Sequence, residues 1–204
     1  MRRLIKYSKS MAIILLIFTL AYCTCKTCQQ KDEFIISVPD SIFVKGDQFI
    51  SSRVGDEFFK NNFFRDFVFS KKIGSEYYLR YNYRSLDYDF VDEPVYFWTD
   101  SLGNVIPNKE IVGIPNCLYS PELCEYAIDR EDAIHIAKDE GLAKGVREWD
   151  VSFRWNAELK SYIWHILSTT WEIGSGDNYK AKGEEIMIDP VSGSVLKKRE
   201  WQIR

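Results

Sequence analysis

Five cysteines and two histidines are the residues of this 204-residue sequence with the most chemistry in them. Cys25-Lys26-Thr27-Cys28 has the spacing of a dithiol redox centre. That chemistry needs a helix N-terminus or a neighbouring cation to lower a thiol pKa, in a βαβ setting. The flanking residues are polar and irregular, so the pair reads as two cysteines of a linker. Cys117 and Cys124 bracket Leu-Tyr-Ser-Pro-Glu-Leu, a turn-rich stretch that a disulfide would close. A metal site is the rival reading, and no histidine stands near enough to complete one.

His135 and Asp139 lie at i, i+4, which suits an exposed ion pair better than a dyad without a nucleophile. His165 alternates with Trp164 and Ile166, shares a strand face with Ile163 and Leu167, and reads as a core or edge histidine. Gly174-Ser175-Gly176 lacks the lysine and helix start of a phosphate loop. Asp87, Asp89, Asp92 and Glu93 form an acidic loop without the residue order of a calcium site. Trp149, Trp155, Trp164 and Trp171 are expected to fill space between helix and sheet; an exposed member would stack on a sugar or peptide. No catalytic, metal or cofactor residue is assigned, and the chain is read as no enzyme.

The elements that carry these residues begin with a leader. Arg2, Arg3, Lys6 and Lys9 precede the apolar run Met11–Tyr22, which has the length of a signal-peptide core and not of a bilayer span. Leu20-Ala21-Tyr22-Cys23 is similar to a bacterial lipoprotein signal, with Tyr22 in place of the usual small residue. The resemblance implies lipidation at Cys23, with Cys25 and Cys28 as less well flanked alternatives. Simple secretion and an uncleaved anchor are the other readings. Residues 1–22 are thus the expected signal and 23–33 a polar tether. Their removal takes the net charge from −3 to −7. So acidic a body argues against a nucleic-acid partner, whose protein is usually basic. Export to an oxidising compartment also favours the 117–124 disulfide.

Composition, 46% hydrophobic and 15% aromatic, predicts a packed α+β body with a helix on an antiparallel sheet. Phe58, Phe59, Phe63, Phe64, Phe67 and Val68 recur at i, i+4 from Val54 onward and predict a helix with a broad aromatic face. Tyr77–Tyr83 and Val95–Thr99 read as strands, the second closed by Asp100-Ser101-Leu102-Gly103-Asn104. A second helix is predicted after Asp129, its N-cap, with Gly141 as the stop. Strands follow at Val151–Trp155, Tyr162–Ser168 and Glu185–Ile188, then a turn through Asp189 and Gly193. Two α-β-β halves result, 34–125 and 126–204.

From Ile128 to about Arg199 the sequence resembles the PepSY domain. The helix Asp129–Ala137, the strand Tyr162–Ile166 and the ending Ile186-Met187-Ile188-Asp189-Pro190-Val191-Ser192-Gly193-Ser194-Val195-Leu196 carry the resemblance. It implies a helix on an antiparallel sheet with no active site of its own. It further implies a membrane-anchored lipoprotein at the periplasmic face or cell surface, binding or modulating a peptidase or peptide. A structural or assembly component of an envelope complex is the alternative.

Overall fold

In the computed structural model, which describes residues 37–203, helix α1 spans Asp40–Val54. Its buried stripe, Ile42, Phe43, Gly46, Ile50 and Val54, keeps helical spacing. Gly55, at φ 90°, ends it, and the short α2 covers Asp56–Asn62. The leader, Cys23, Cys25, Cys28 and the tether lie outside the described residues.

The single aromatic helix expected from Val54 is corrected by these boundaries. Phe58 and Phe59 are helical, but β1 (Phe63–Arg65) is already a strand. It pairs with the end of β3 (Glu76–Arg84), where Phe63 stands opposite Tyr83 with ring centroids 4.9 Å apart. The i, i+4 spacing of Phe59 and Phe63 suits a helix. Cross-strand burial of Phe63 against Tyr83 overrides it.

Strand β3 is the centre of the first sheet. β1 and β2 (Lys71–Ile73) pair along one of its edges, and β4 (Asp92–Thr99) pairs along the other. The strands predicted at Tyr77–Tyr83 and Val95–Thr99 fall inside β3 and β4. Tyr77, Leu79, Tyr81 and Tyr83 alternate inward, as a half-buried strand requires.

The second half is α3 (Arg130–Asp139) followed by β5 (Asp150–Asn156), β6 (Ser161–Ile173), β7 (Lys180–Ile188) and β8 (Val195–Ile203). These four strands form an antiparallel meander in sequence order. Asp129 accepts from the Asp132 N–H at 2.8 Å, and the Asp132 carboxylate bonds back to the Asp129 N–H. This capping box starts α3 where it was expected. Each predicted turn also forms. The Asp100 carboxylate accepts from the Leu102 and Asn104 N–H groups, and that of Asp189 accepts from the Val191 N–H. Gly103 and Gly193 take the positive φ that each turn needs.

The fold is therefore α+β, with helices packed on two antiparallel sheets. The sheets share a core within one unit, Ile36–Arg204. Phe90, from the β3–β4 loop, lies edge-on to Phe153 at 5.1 Å and against Trp164 at 5.0 Å. Tyr83 meets Tyr162, whose hydroxyl donates to the Gly113 carbonyl at 3.1 Å.

Between the halves, Cys117 and Cys124 stand at disulfide distance, with Cα atoms 5.8 Å apart. Cys124 ends a short 3₁₀ turn, Pro121–Cys124. Reduction is expected to cost about 2–3 kcal/mol, because a loop this small closes that much chain entropy. Thermal melts with and without dithiothreitol check it. Identical curves would mean that the bridge contributes nothing.

Candidate functional site

The best candidate is a groove between the outer face of α3 and the start of β5. Its floor is apolar: Ile134 from the helix, Leu142 and Val146 from the connection, Trp149 and Val151 leading into the strand. Arg130, Lys138, Lys144 and Arg147 stand around the rim with Glu148 as its one acid. The volume is about 820 Å³.

The α3 periodicity explains the helix side. Ala133 and Ala137 are fully buried against β6, which turns Ile134 and Lys138 away from that contact. The opposite wall is pinned by long-range bonds. Ala143 donates its N–H to Glu184 at 2.9 Å, and its carbonyl accepts from Ser168 Oγ at 2.6 Å and Trp149 Nε1 at 3.1 Å. The Val146 N–H donates to the Thr169 carbonyl at 2.7 Å. A connection tied at this many points holds the groove open without a ligand. Val146 is nonetheless 61% exposed, an apolar side chain offered to whatever enters.

The groove also touches a free strand edge. Among the described strands, β5 pairs only with β6, so its outer backbone groups are open to a further strand. Charge adds selectivity. Arg147 contacts Glu172 at 3.6 Å and Arg130 contacts Glu131 at 3.8 Å, both loosely, while Lys138 and Lys144 make no ion pair among the described residues. The rim is thus a net positive frame on an acidic body.

A second polar assembly lies on the other face of the same sheet. His165 Nε2 is 2.7 Å from Glu185, and Arg199 donates to the same carboxylate. Burial lowers the His165 pKa and outweighs the carboxylate beside it, so the ring is neutral at neutral pH. Burial pushes Glu185 upward, but the bonds from Arg199 and His165 prevail and hold it below the usual carboxylate range. Ser152 stands opposite His165 in the β5–β6 register and so resembles the third member of a hydrolytic triad. Its hydroxyl bonds to the His165 backbone carbonyl instead of the ring. A nucleophile needs its base within reach, and this serine does not have it.

The other candidates separate in space. His135 and Asp139 are both exposed on α3, and the expected ion pair between them is not formed. Asp92 pairs with Arg84 at 2.9 Å, while Glu93 turns inward and burial pushes its carboxyl up to about 7. Gly174–Asn178 is a loop with a short 3₁₀ turn, as its departure from a tight hairpin suggested. Trp164 is core, as expected of a residue between helix and sheet, and Trp171 is 43% exposed. Among the described residues, no group of three or more His, Cys, Asp or Glu is placed to hold a metal ion, and no helix is long and apolar enough to cross a membrane.

No known protein family and no curated protein matches this chain. The groove therefore stands on its own geometry. Sequence reasoning missed its rim, although Lys138, Lys144 and Arg147 lie close together in the chain. Their convergence with Arg130 depends on how the connection folds back beside α3. Glu185 and Arg199 were also missed as partners of His165, since only the sheet register unites them.

Proposed function

We propose that this protein is a non-catalytic, lipid-anchored component of the cell envelope. It holds an extended, acidic segment of an envelope protein, a peptidase being the leading candidate, in the groove between α3 and β5. The observation that carries this reading is the combination there of a free strand edge, an apolar floor and a basic rim. Strand addition uses those three features in turn: backbone bonds for affinity, alternate side chains for pockets, and charge for choice of partner. The PepSY resemblance of residues 128–199 and the lipoprotein-like leader agree with it. The His165 cluster supports no turnover, for want of an engaged nucleophile.

The test uses a synthetic nine-residue peptide of alternating glutamate and leucine. Titrated into the full-length protein, it is expected to shift the amide resonances of Arg130–Val151 and of β5 above all others. Arg147→Glu together with Lys138→Glu should weaken binding by about 10-fold or more, the scale of two charge contacts reversed at a partly desolvated rim. Shifts scattered over the surface, or equal affinity in the reversed-charge variant, would reject the groove as the site.

A further inference from the structure

We propose that the loop Phe67–Phe69 is a second membrane contact, which docks the anchored body onto the lipid surface beside its own tether. The inference rests on the anchoring at Cys23 contained in the proposed function.

Phe67, Val68 and Phe69 join β1 to β2 and are 65%, 80% and 56% exposed. Three consecutive apolar side chains left in water at a loop tip call for a covering surface. The tip is not a floppy one. The Asp66 carboxylate accepts from the Val68 N–H at 3.2 Å and the Phe69 N–H at 3.1 Å. The Ser70 N–H donates to the Asp66 carbonyl at 3.1 Å, and Arg80 holds the same carboxylate at 3.4 Å. Arg80 also lies over the Phe69 ring at 4.5 Å, and Phe67 packs edge-on to Phe43 at 4.9 Å. The apolar knob is therefore presented in one conformation, which reduces the ordering cost of docking.

The place where the chain enters the body selects lipid as the occupant. The described chain begins at Ser37, and Cys23 lies fourteen residues earlier. Fully extended, that length reaches at most about 50 Å. It joins the body at Asp40, whose carboxylate is gripped by Arg65 of β1. Arg65 also binds Asp47 at 2.6 Å and sits over the Phe43 ring. The tether's point of entry and the Phe67 ring thus share one corner of the molecule, which a lipid at Cys23 keeps within reach of the bilayer. Charge agrees: Lys71 and Lys72 follow after Ser70, both exposed and without an ion pair among the described residues. Aromatic side chains at the interface with lysines facing headgroups are a membrane-surface pattern. One lipid group plus a second weak contact holds better than either alone.

The experiment uses the full-length processed protein in vesicles of phosphatidylethanolamine and phosphatidylglycerol that contain a photoreactive diazirine phospholipid. After illumination, mass spectrometry maps lipid adducts and separately reads the mass of the peptide bearing Cys23. The expected result is acylated Cys23, with adducts concentrated in residues 64–73. Phe67→Ser with Val68→Ser should cut adducts there about 10-fold, since interfacial binding scales with buried apolar area, while the circular dichroism stays unchanged. Acylated Cys23 with adducts spread evenly or absent from the loop overturns the docking and leaves the anchor intact. An unmodified Cys23 overturns the anchor; loop adducts would then still support docking, and their absence would end both.

Discussion

Trp164→Ala is expected to cost about 3–5 kcal/mol, the usual range for deleting a fully buried tryptophan. The side chain is 1% exposed. Its Nε1 donates to the half-buried Ile128 carbonyl at 2.8 Å, so truncation removes that bond as well as leaving a cavity. Phe153 at 5.4 Å and Phe90 at 5.0 Å close around the ring, and Phe90 comes from the loop between β3 and β4 in the first half. The loss should therefore appear in one cooperative transition that involves both halves. Guanidinium unfolding followed by far-ultraviolet circular dichroism and by near-ultraviolet aromatic signals measures this. A loss below about 1 kcal/mol, or two separated transitions, would show that Trp164 does not join the halves.

The His165–Glu185–Arg199 cluster gives the second large effect, and its sign with pH is fixed. Glu185 has a folded pKa below the usual 4.5. Its stabilisation is complete above that value and is lost as pH falls through the lower folded one. His165 has a folded pKa below the usual 6.5, so the unfolded chain takes up a proton first as pH falls. That also removes stability on the acid side, beginning near 6.5. As pH falls, His165 therefore withdraws stability below about 6.5 and Glu185 only below 4.5, while Glu93, with its carboxyl pushed up to about 7, works in the opposite sense between 7 and 4.5. Glu185→Ala should cost about 2–3 kcal/mol at pH 7, because it strands one buried ring nitrogen and a half-exposed guanidinium. His165→Leu should flatten the part of the profile between pH 6.5 and 5. Melting temperatures at half-unit pH steps test both, and an unchanged slope in His165→Leu would exclude the histidine as the source.

Most of what was readable from the residues was local. The Asp129 cap, the Gly141 stop and the Asp100 and Asp189 turns involve partners at most a few positions apart, so the order of residue types specifies them. Strands β3 to β7 were visible because inward and outward side chains alternate or form a continuous apolar run. The aromatic stretch after Val54 was misread for a physical reason. Phe58, Phe59 and Phe63 satisfy helical spacing, yet Phe63 gains more from Tyr83, twenty residues away, than from another helical turn. Two apolar residues expected on that helix face, Phe67 and Val68, thereby become part of an exposed tip with Phe69.

The sequence alone determined an α+β body, its turns and caps, and the turn-rich stretch that brings Cys117 and Cys124 to disulfide distance, because short-range chemistry decides each of these. Tertiary structure alone decided that Arg130, Lys138, Lys144 and Arg147 frame one groove, that Glu185 and Arg199 enclose His165, and that Phe67 packs on Phe43 of α1. Those arrangements depend on sheet register and on the path of connections. Both are set by the summed packing of distant side chains, which no short window of sequence contains.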